Sequence, residues 1–365
     1  MCGIAGLISQ EKVRENGKRI RKAIVLQNDR GNGLGAGYGA YGIFPEYKDL
    51  YAFQVSFNEN RQQEEVYSYL SNYFNVHHKE KVEVWGKKIK DYPIIYRFFL
   101  EPKVEQIPFT MVDEEERVRF DDYVISHVMQ INSSIDGAYV FSSGKNMGVF
   151  KGVGTPEEIY DFYRLDEYEG YCWIAHNRFP TNTPGWWGGA HPLSLLGWSI
   201  VHNGEISSYG INRRYLETFD YQCNLQTDSE VVAYLLDLLI RQHGLSIEDA
   251  TKVLAPPYWS EIKRMLNTSE KARLIGLKTV YESAMLNGPF AILCGHDNGL
   301  FSLTDNTKLR PMSVGVNKGY NYFSSELSAL FEMENSINEI FTPRAGEPVI
   351  ASYQKEESML QKHAS

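Results

Sequence analysis

An apolar run, GIAGLI at residues 3–8, begins one residue after a cysteine at the second position of the chain. Chain ends fray unless they are tied into a sheet or docked. A run this apolar reads as a strand, and a strand at the end of a chain has to be held. A reactive thiol at such an end is a liability unless the end itself is used. The position of Cys2 therefore raises a functional question before any fold is assigned.

Composition narrows the answer. The chain has 365 residues, 43% of them hydrophobic and 23% charged, which suits a globular protein with a sizeable core. The net charge is -9 and no Lys/Arg cluster stands out, so nucleic acid is not expected as a partner. No apolar stretch approaches the ~20 residues of a membrane span. The start lacks the charged region and length of a signal peptide. The four cysteines, Cys2, Cys172, Cys223 and Cys294, include no C-x-x-C pair, so no zinc site is expected. Four are too few for a disulfide framework in a chain this long, which points to a reducing cytoplasm. Cys172 and Cys294 lie in apolar strand-like runs and read as buried. The acidic stretch Asp113–Glu116 reads as a solvated helix start.

Along the chain, residues 14–27 carry Ile20, Ala23, Ile24 and Gln27 on one face of a helix. The glycine-dense DRGNGLGAGYGAYGIF follows. It holds one relaxed G-x-G-x-x-A match, but no convincing strand precedes it and no helix follows, so it is discounted as a dinucleotide loop. Its glycines are expected to permit close backbone approach around a pocket. Residues 47–130 alternate strand-like and helix-like runs without a catalytic cluster and are expected to be an insertion in a single domain, 2–365. The strand-like runs AYVFSSG, NMGVFKGV, GYCWIAHNRF and WSIVHNGEI follow, with a Trp/Gly-rich loop after Gly185. Residues 227–242 form a helix opened by a Thr227/Glu230 capping box. Strands and helices in mixed order, without strict alternation, indicate an α+β fold of antiparallel sheets packed with helices.

Four short stretches carry candidate chemistry, each with a plainer account beside it. Once Met1 is removed, Cys2 offers a thiol and an α-amine on one residue. The amine, with an ordinary pKa of ~7.7–8.0, can take the thiol proton and later give it to a leaving amine. An incidental cysteine is the plainer account. Arg178, after a strand in AHNRFPTNT, can hold a carboxylate through two parallel hydrogen bonds, or form a structural ion pair. Asn203 and Gly204, in HNGEI, offer a side-chain and a backbone N–H that could converge on an oxyanion, or they make a turn. Asp228, in QTDSE, sits at a helix N-terminus, where the dipole alone explains a carboxylate and a substrate ammonium is the alternative.

The order of these stretches carries more than any one of them. MCGIAG, DRGNG, HNRFPTNT, HNGEI and QTDSE, followed by NGPFAIL, DNTKLRPM and FSSELSAL, resemble the glutamine amidotransferases of the N-terminal-cysteine class II. RFPTNT resembles the glutaminase domain of glutamate synthase more than that of glucosamine-6-phosphate synthase. The glycine-rich RGNGLGAGYGAYG is similar to stand-alone amidotransferase subunits related to glutamate synthase.

The resemblance implies an N-terminal nucleophile hydrolase fold, a four-layer αββα sandwich. It implies Cys2 as the nucleophile on the glutamine amide, Asn203 and Gly204 as the oxyanion site, Arg178 on the α-carboxylate and Asp228 on the α-ammonium. It places Thr181 beside the carboxylate, Arg30 near the N-terminal segment and His191 near the pocket. It implies L-glutamine as substrate, no cofactor or metal in this chain, and ammonia delivered to a separate FMN-containing, glutamate synthase-like subunit. Two other readings stand beside it: an N-terminal-cysteine amidohydrolase acting on another amide, and a non-catalytic glutamine-binding subunit.

Overall fold

The computed structural model describes residues 1–86, 88–89, 92–111, 119–179 and 185–354. The apolar run at the start becomes β1 (Gly3–Ser9), and every residue of it is buried. It is an inner strand of a seven-stranded sheet, paired on one side with β10 (Cys172–Asn177) and on the other with β16 (Tyr320–Ser324). The sheet order is β17 (Glu339–Phe341), β15 (Ser313–Asn317), β16, β1, β10, β3 (Ala36–Tyr41) and β8 (Met147–Gly152). With apolar layers on both faces, β1 has no solvent side on which polar residues could alternate. Fully burying a side chain such as Ile4, Leu7 or Ile8 contributes roughly 1.5–3 kcal/mol.

A second sheet lies face to face with the first, in the order β11 (Leu193–Leu195), β12 (Trp198–Gly204), β13 (Phe290–His296), β14 (Gly299–Thr304) and β18 (Val349–Ser352). Contact is close at Gly6, where a Cβ would lie 2.5 Å from Leu293 Cδ2. Helix Lys18–Val25 covers the outer face of β1 and β10 with Ile20, Ala23 and Ile24 buried. Helix Asp228–Leu236 covers β11 and β12. The layers are therefore helix, sheet, sheet, helix, the α+β sandwich expected. Before Lys18, the chain forms a two-residue ribbon of β2 (Glu15–Asn16) with β9 (Glu169–Gly170), so the first helix is shorter than its apolar spacing suggested.

The glycine-dense segment holds a strand. AGYGAY is β3, and its glycines let neighbouring backbone come close, as at Gly37, where a Cβ would lie 2.2 Å from the His191 carbonyl oxygen. Between the hairpin partners β3 and β8 the chain builds a unit of its own. Strands β4 (Tyr51–Phe57), β5 (Phe74–Lys81), β6 (Ile94–Pro102) and β7 (Ala138–Ser142) pair antiparallel in the order β5-β6-β4-β7. Helices Asn60–Tyr73 and Phe120–Ser134 lie between β4 and β5 and between β6 and β7. This is the split β-α-β, ferredoxin-like topology. It runs from 51 to 142, beyond the 47–130 set aside from the sequence. The acidic stretch Asp113–Glu116 lies outside the described residues.

Helix Asp228–Leu236 starts with half of the expected capping box. Thr227 Oγ1 accepts from the Glu230 N–H at 3.1 Å. The Glu230 carboxylate turns away, accepting from the Asn224 and Leu225 N–H groups and from the Tyr139 hydroxyl. Past Leu236 the helix widens into a π-type turn, Asp237–Gln242. Among the described residues, no helix is long and apolar enough to cross a membrane.

Candidate active site

Three strand ends and one helix start meet at a pocket of about 230 Å³. Cys2 precedes β1, Arg178 and Phe179 follow β10, Gly204 ends β12, and Asp228 opens its helix. All five line the pocket, with Gly189, His191, His202, Ser229 and others. Because β1, β10 and β12 are inner strands, the backbone at their ends is anchored in the core.

The Phe179 N–H donates to Cys2 Sγ over 3.3 Å. Burial pushes the Cys2 thiol above its ordinary range; this N–H, the chain's α-amine and Arg178 pull it back, and Asp228 pushes it up. A thiol held up this way needs a base to ionise it. Arg178 is 5% exposed and its N–H donates to Gly35 O at 2.9 Å, fixing the backbone. A Cβ on Gly189 would lie 3.1 Å from both terminal guanidinium nitrogens of Arg178, so a side chain there would push the arginine head aside by a few tenths of an ångström. On the same pocket, Asp228 Oδ2 accepts from the Ile206 N–H at 3.0 Å. The pocket thus carries the Cys2 thiol, the Arg178 guanidinium and two carboxylates, Asp228 and Glu205.

Asn203 is 1% exposed, and its Nδ2 is buried with no hydrogen-bond partner among the described residues. An amide N–H₂ left open in this way costs about 1–3 kcal/mol unless something accepts from it. Gly204 has φ +150°, and a Cβ there would lie 2.0 Å from Pro289 O. Asn203-Gly204 therefore ends an inner strand and does not turn a hairpin.

Three buried histidines stand behind Asp228. Ser229 Oγ lies 2.8 Å from His191 Nε2, 3.0 Å from His202 Nδ1 and 3.2 Å from Asp228 Oδ1. A hydroxyl has one proton and two lone pairs. Donation to Asp228 therefore requires both histidines to donate to Ser229. His176 Nε2 donates to His202 O over 3.0 Å. The remaining ring nitrogens, His176 Nδ1, His191 Nδ1 and His202 Nε2, are the ones buried without partners. One set of neutral tautomers satisfies every N–H. Burial holds all three rings below their usual pKa, His176 at about 3. Among the described residues no group of histidine, cysteine or carboxylate side chains is set to hold a metal ion.

Of the residues singled out from sequence, the structure gathers Cys2, Arg178, His191, Gly204 and Asp228 on the pocket wall, with Asn203 between two wall residues. Thr181 lies outside the described residues. Arg30 does not line the pocket; it is ion-paired with Glu326, beside the turn whose Ser325 N–H donates to Ile4 O of β1. The sequence reading passed over His176, His202, Ser229 and the Phe179 N–H. Their signal was adjacency, since each lies within two residues of a motif residue.

The sequence profile described as "Glutamine amidotransferases class-II" matches residues 79–340. A protein of Archaeoglobus fulgidus, described as "Uncharacterized protein", is 43% identical over 100% of this chain and 95% of its own length. The glutamine–fructose-6-phosphate aminotransferase [isomerizing] of Sulfurisphaera tokodaii is 27% identical over 54% of this chain, and the match spans 28% of that protein. The glutamate synthase [NADPH] large chain of Bacillus subtilis is 28% identical over 54% of this chain and 14% of that one. The chain matches less than a third of each of these two longer enzymes. The chain belongs to the class-II glutamine amidotransferases.

Proposed function

We propose that Cys2, freed at its amine by removal of Met1, hydrolyses the side-chain amide of L-glutamine through a thioester and supplies ammonia to a separate synthase subunit. The carrying observation is the pocket itself, whose lining brings together a thiol, Cys2, an arginine, Arg178, and an aspartate, Asp228. A zwitterionic amino acid needs a fixed cation for its α-carboxylate and a fixed anion for its α-ammonium. Arg178 and Asp228 supply them.

The steps follow from the groups present. The Cys2 α-amine takes the thiol proton, and the sulfur bonds to the amide carbon. The carbonyl oxygen becomes an oxyanion, and the open Asn203 amide with the Gly204 backbone N–H accounts for its stabilisation. The C–N bond breaks as the protonated amine returns its proton, and ammonia leaves. Water then cleaves the thioester, giving glutamate and the free thiol. Likeness to a glutamate synthase large chain supports an FMN-containing, glutamate synthase-like partner as the acceptor of that ammonia.

The test is mass spectrometry after incubation with a glutamine-mimicking diazo-ketone. A chain lacking Met1 that gains one adduct on Cys2, prevented by excess glutamine, supports the nucleophile and the substrate. A processed chain that gains an adduct elsewhere, or one glutamine does not prevent, overturns the reading. Repeating the incubation with candidate synthase subunits reads out the partnership.

A further inference from the structure

Lys151, on β8, is fully buried. Its ammonium donates to Gly188 O over 3.2 Å and lies 5.1 Å from the centre of the Trp187 ring and 6.0 Å from that of Phe141. Those described partners are a carbonyl and two ring faces, not a carboxylate. Burial pulls the amine down to about 7, against the opposing charge of Glu230 and with that of Arg178. Burying a charge costs several kcal/mol, and an apolar side chain of the same length would fill the space at less cost. Packing alone does not account for a lysine here.

What the lysine holds is the segment from Trp187 to Ala190. The Ala190 N–H donates to Trp187 O at 3.1 Å, closing a turn. The Trp187 ring meets Phe141 of β7 edge to face, with centroids 4.8 Å apart. Gly188 is gripped by Lys151, and the next residue, Gly189, is the one whose backbone lies against the Arg178 guanidinium. On the other side, a Cβ on Gly35 would lie 2.9 Å from Arg178 Cδ. The arginine therefore packs with its stem against the residue before β3 and with its head against a loop that Lys151 ties down, and these two contacts form its slot.

We infer that Lys151 is a positioning residue for glutamine: it straps the Trp187–Gly189 segment against Arg178 and so sets the site for the substrate α-carboxylate. This rests on the carboxylate role given to Arg178 above. Charge on the strap matters in two ways: the ammonium grips the carbonyl and ring more firmly than a neutral donor would, and it adds positive potential behind the carboxylate site. Loosening the slot weakens recognition of the zwitterion without touching the thiol.

The experiment compares two alkylating agents on the processed chain and on Lys151→Met. The diazo-ketone carries the amino-acid zwitterion; iodoacetamide does not. We expect Lys151→Met to raise the inhibition constant of the diazo-ketone about tenfold, its maximal inactivation rate and the iodoacetamide rate staying within about threefold of wild type. Lys151→Gln, which keeps a donor for Gly188 without charge, falls between. An inhibition constant within about threefold of wild type in both variants, with Arg178→Lys still raising it, overturns the inference and leaves the Arg178 reading intact. If Arg178→Lys also leaves it unchanged, the carboxylate reading fails and takes this inference with it. An iodoacetamide rate falling in step with the diazo-ketone rate, together with a lower melting temperature, identifies a structural lysine and overturns the inference as well.

Discussion

The Ile206 N–H donates to Asp228 Oδ2 over 3.0 Å, tying the chain just past the Asn203-Gly204 strand end to the first residue of a helix. That hydrogen bond couples the proposed oxyanion site to the proposed ammonium site. The second carboxylate oxygen takes the Ser229 hydroxyl. Replacing Asp228 by asparagine preserves an acceptor for Ile206 but removes the charge. Hydrogen bonds to charged groups contribute about 1.5–3 kcal/mol, so Asp228→Asn is expected to raise KM for glutamine roughly tenfold to a hundredfold. Steady-state glutaminase assays check this. An unchanged KM would remove Asp228 from the substrate site.

Ser229 gives a second expectation. It is the shared acceptor for the N–H groups of His191 and His202 and a donor to Asp228. In Ser229→Ala two buried ring N–H groups lose their acceptor, at a cost of about 1–3 kcal/mol each. The loss is expected as a lower urea midpoint with an unchanged m value, together with a raised KM because Asp228 loses a ligand. A variant as stable as wild type means that the rings flip to other partners and that the tautomer assignment is wrong.

Asn203→Ala tests the proposed oxyanion site. The side chain is buried and its Nδ2 has no described partner to lose, so the fold gives up little. Removing a donor of this kind typically costs about 10²–10³ in turnover. We expect kcat to fall by that order, with KM changed little. Turnover of glutamine at the wild-type rate would falsify the oxyanion role.

Why these residues could be read in the sequence while others could not follows from where their partners lie. β1, the Asn203-Gly204 strand end and the helix start at Asp228 each depend on neighbours within a few residues, so local pattern carries them. Arg30 does not. Its partner Glu326 is 296 positions away, and nothing near Arg30 identifies that partner. β3 was passed over because glycine weakens a strand in isolation. In the fold the same glycines are required, since Gly37 meets the backbone of His191. β5 reads FNVHHKEK, a half-exposed strand with polar residues on both faces, and carries little alternation to detect. The convergence of His176, His191 and His202 on one cluster is a property of two stacked sheets and a loop, invisible until they are stacked.

The unit between β3 and β8 can be probed through one of its histidines, His127. His127 lies among Tyr69, Tyr73, Phe74 and Tyr123, its Nδ1 2.6 Å from the Tyr69 hydroxyl. Burial lowers its pKa to about 4. The unfolded chain titrates near 6.5, so the native state binds fewer protons between those values. The stability this neutral ring contributes is complete above about 6.5 and is lost as pH falls from there through about 4. At pH 7, His127→Phe is expected to be less stable by about 1 kcal/mol, because Tyr69 loses its acceptor. By about pH 5 the wild type alone has given up roughly 1–2 kcal/mol to proton uptake on unfolding, so the gap closes or reverses. Urea unfolding of both proteins at the two pH values measures it. A gap that stays constant across that range means that His127 titrates as it would in water, and that the packing around it in the inserted unit is open to solvent.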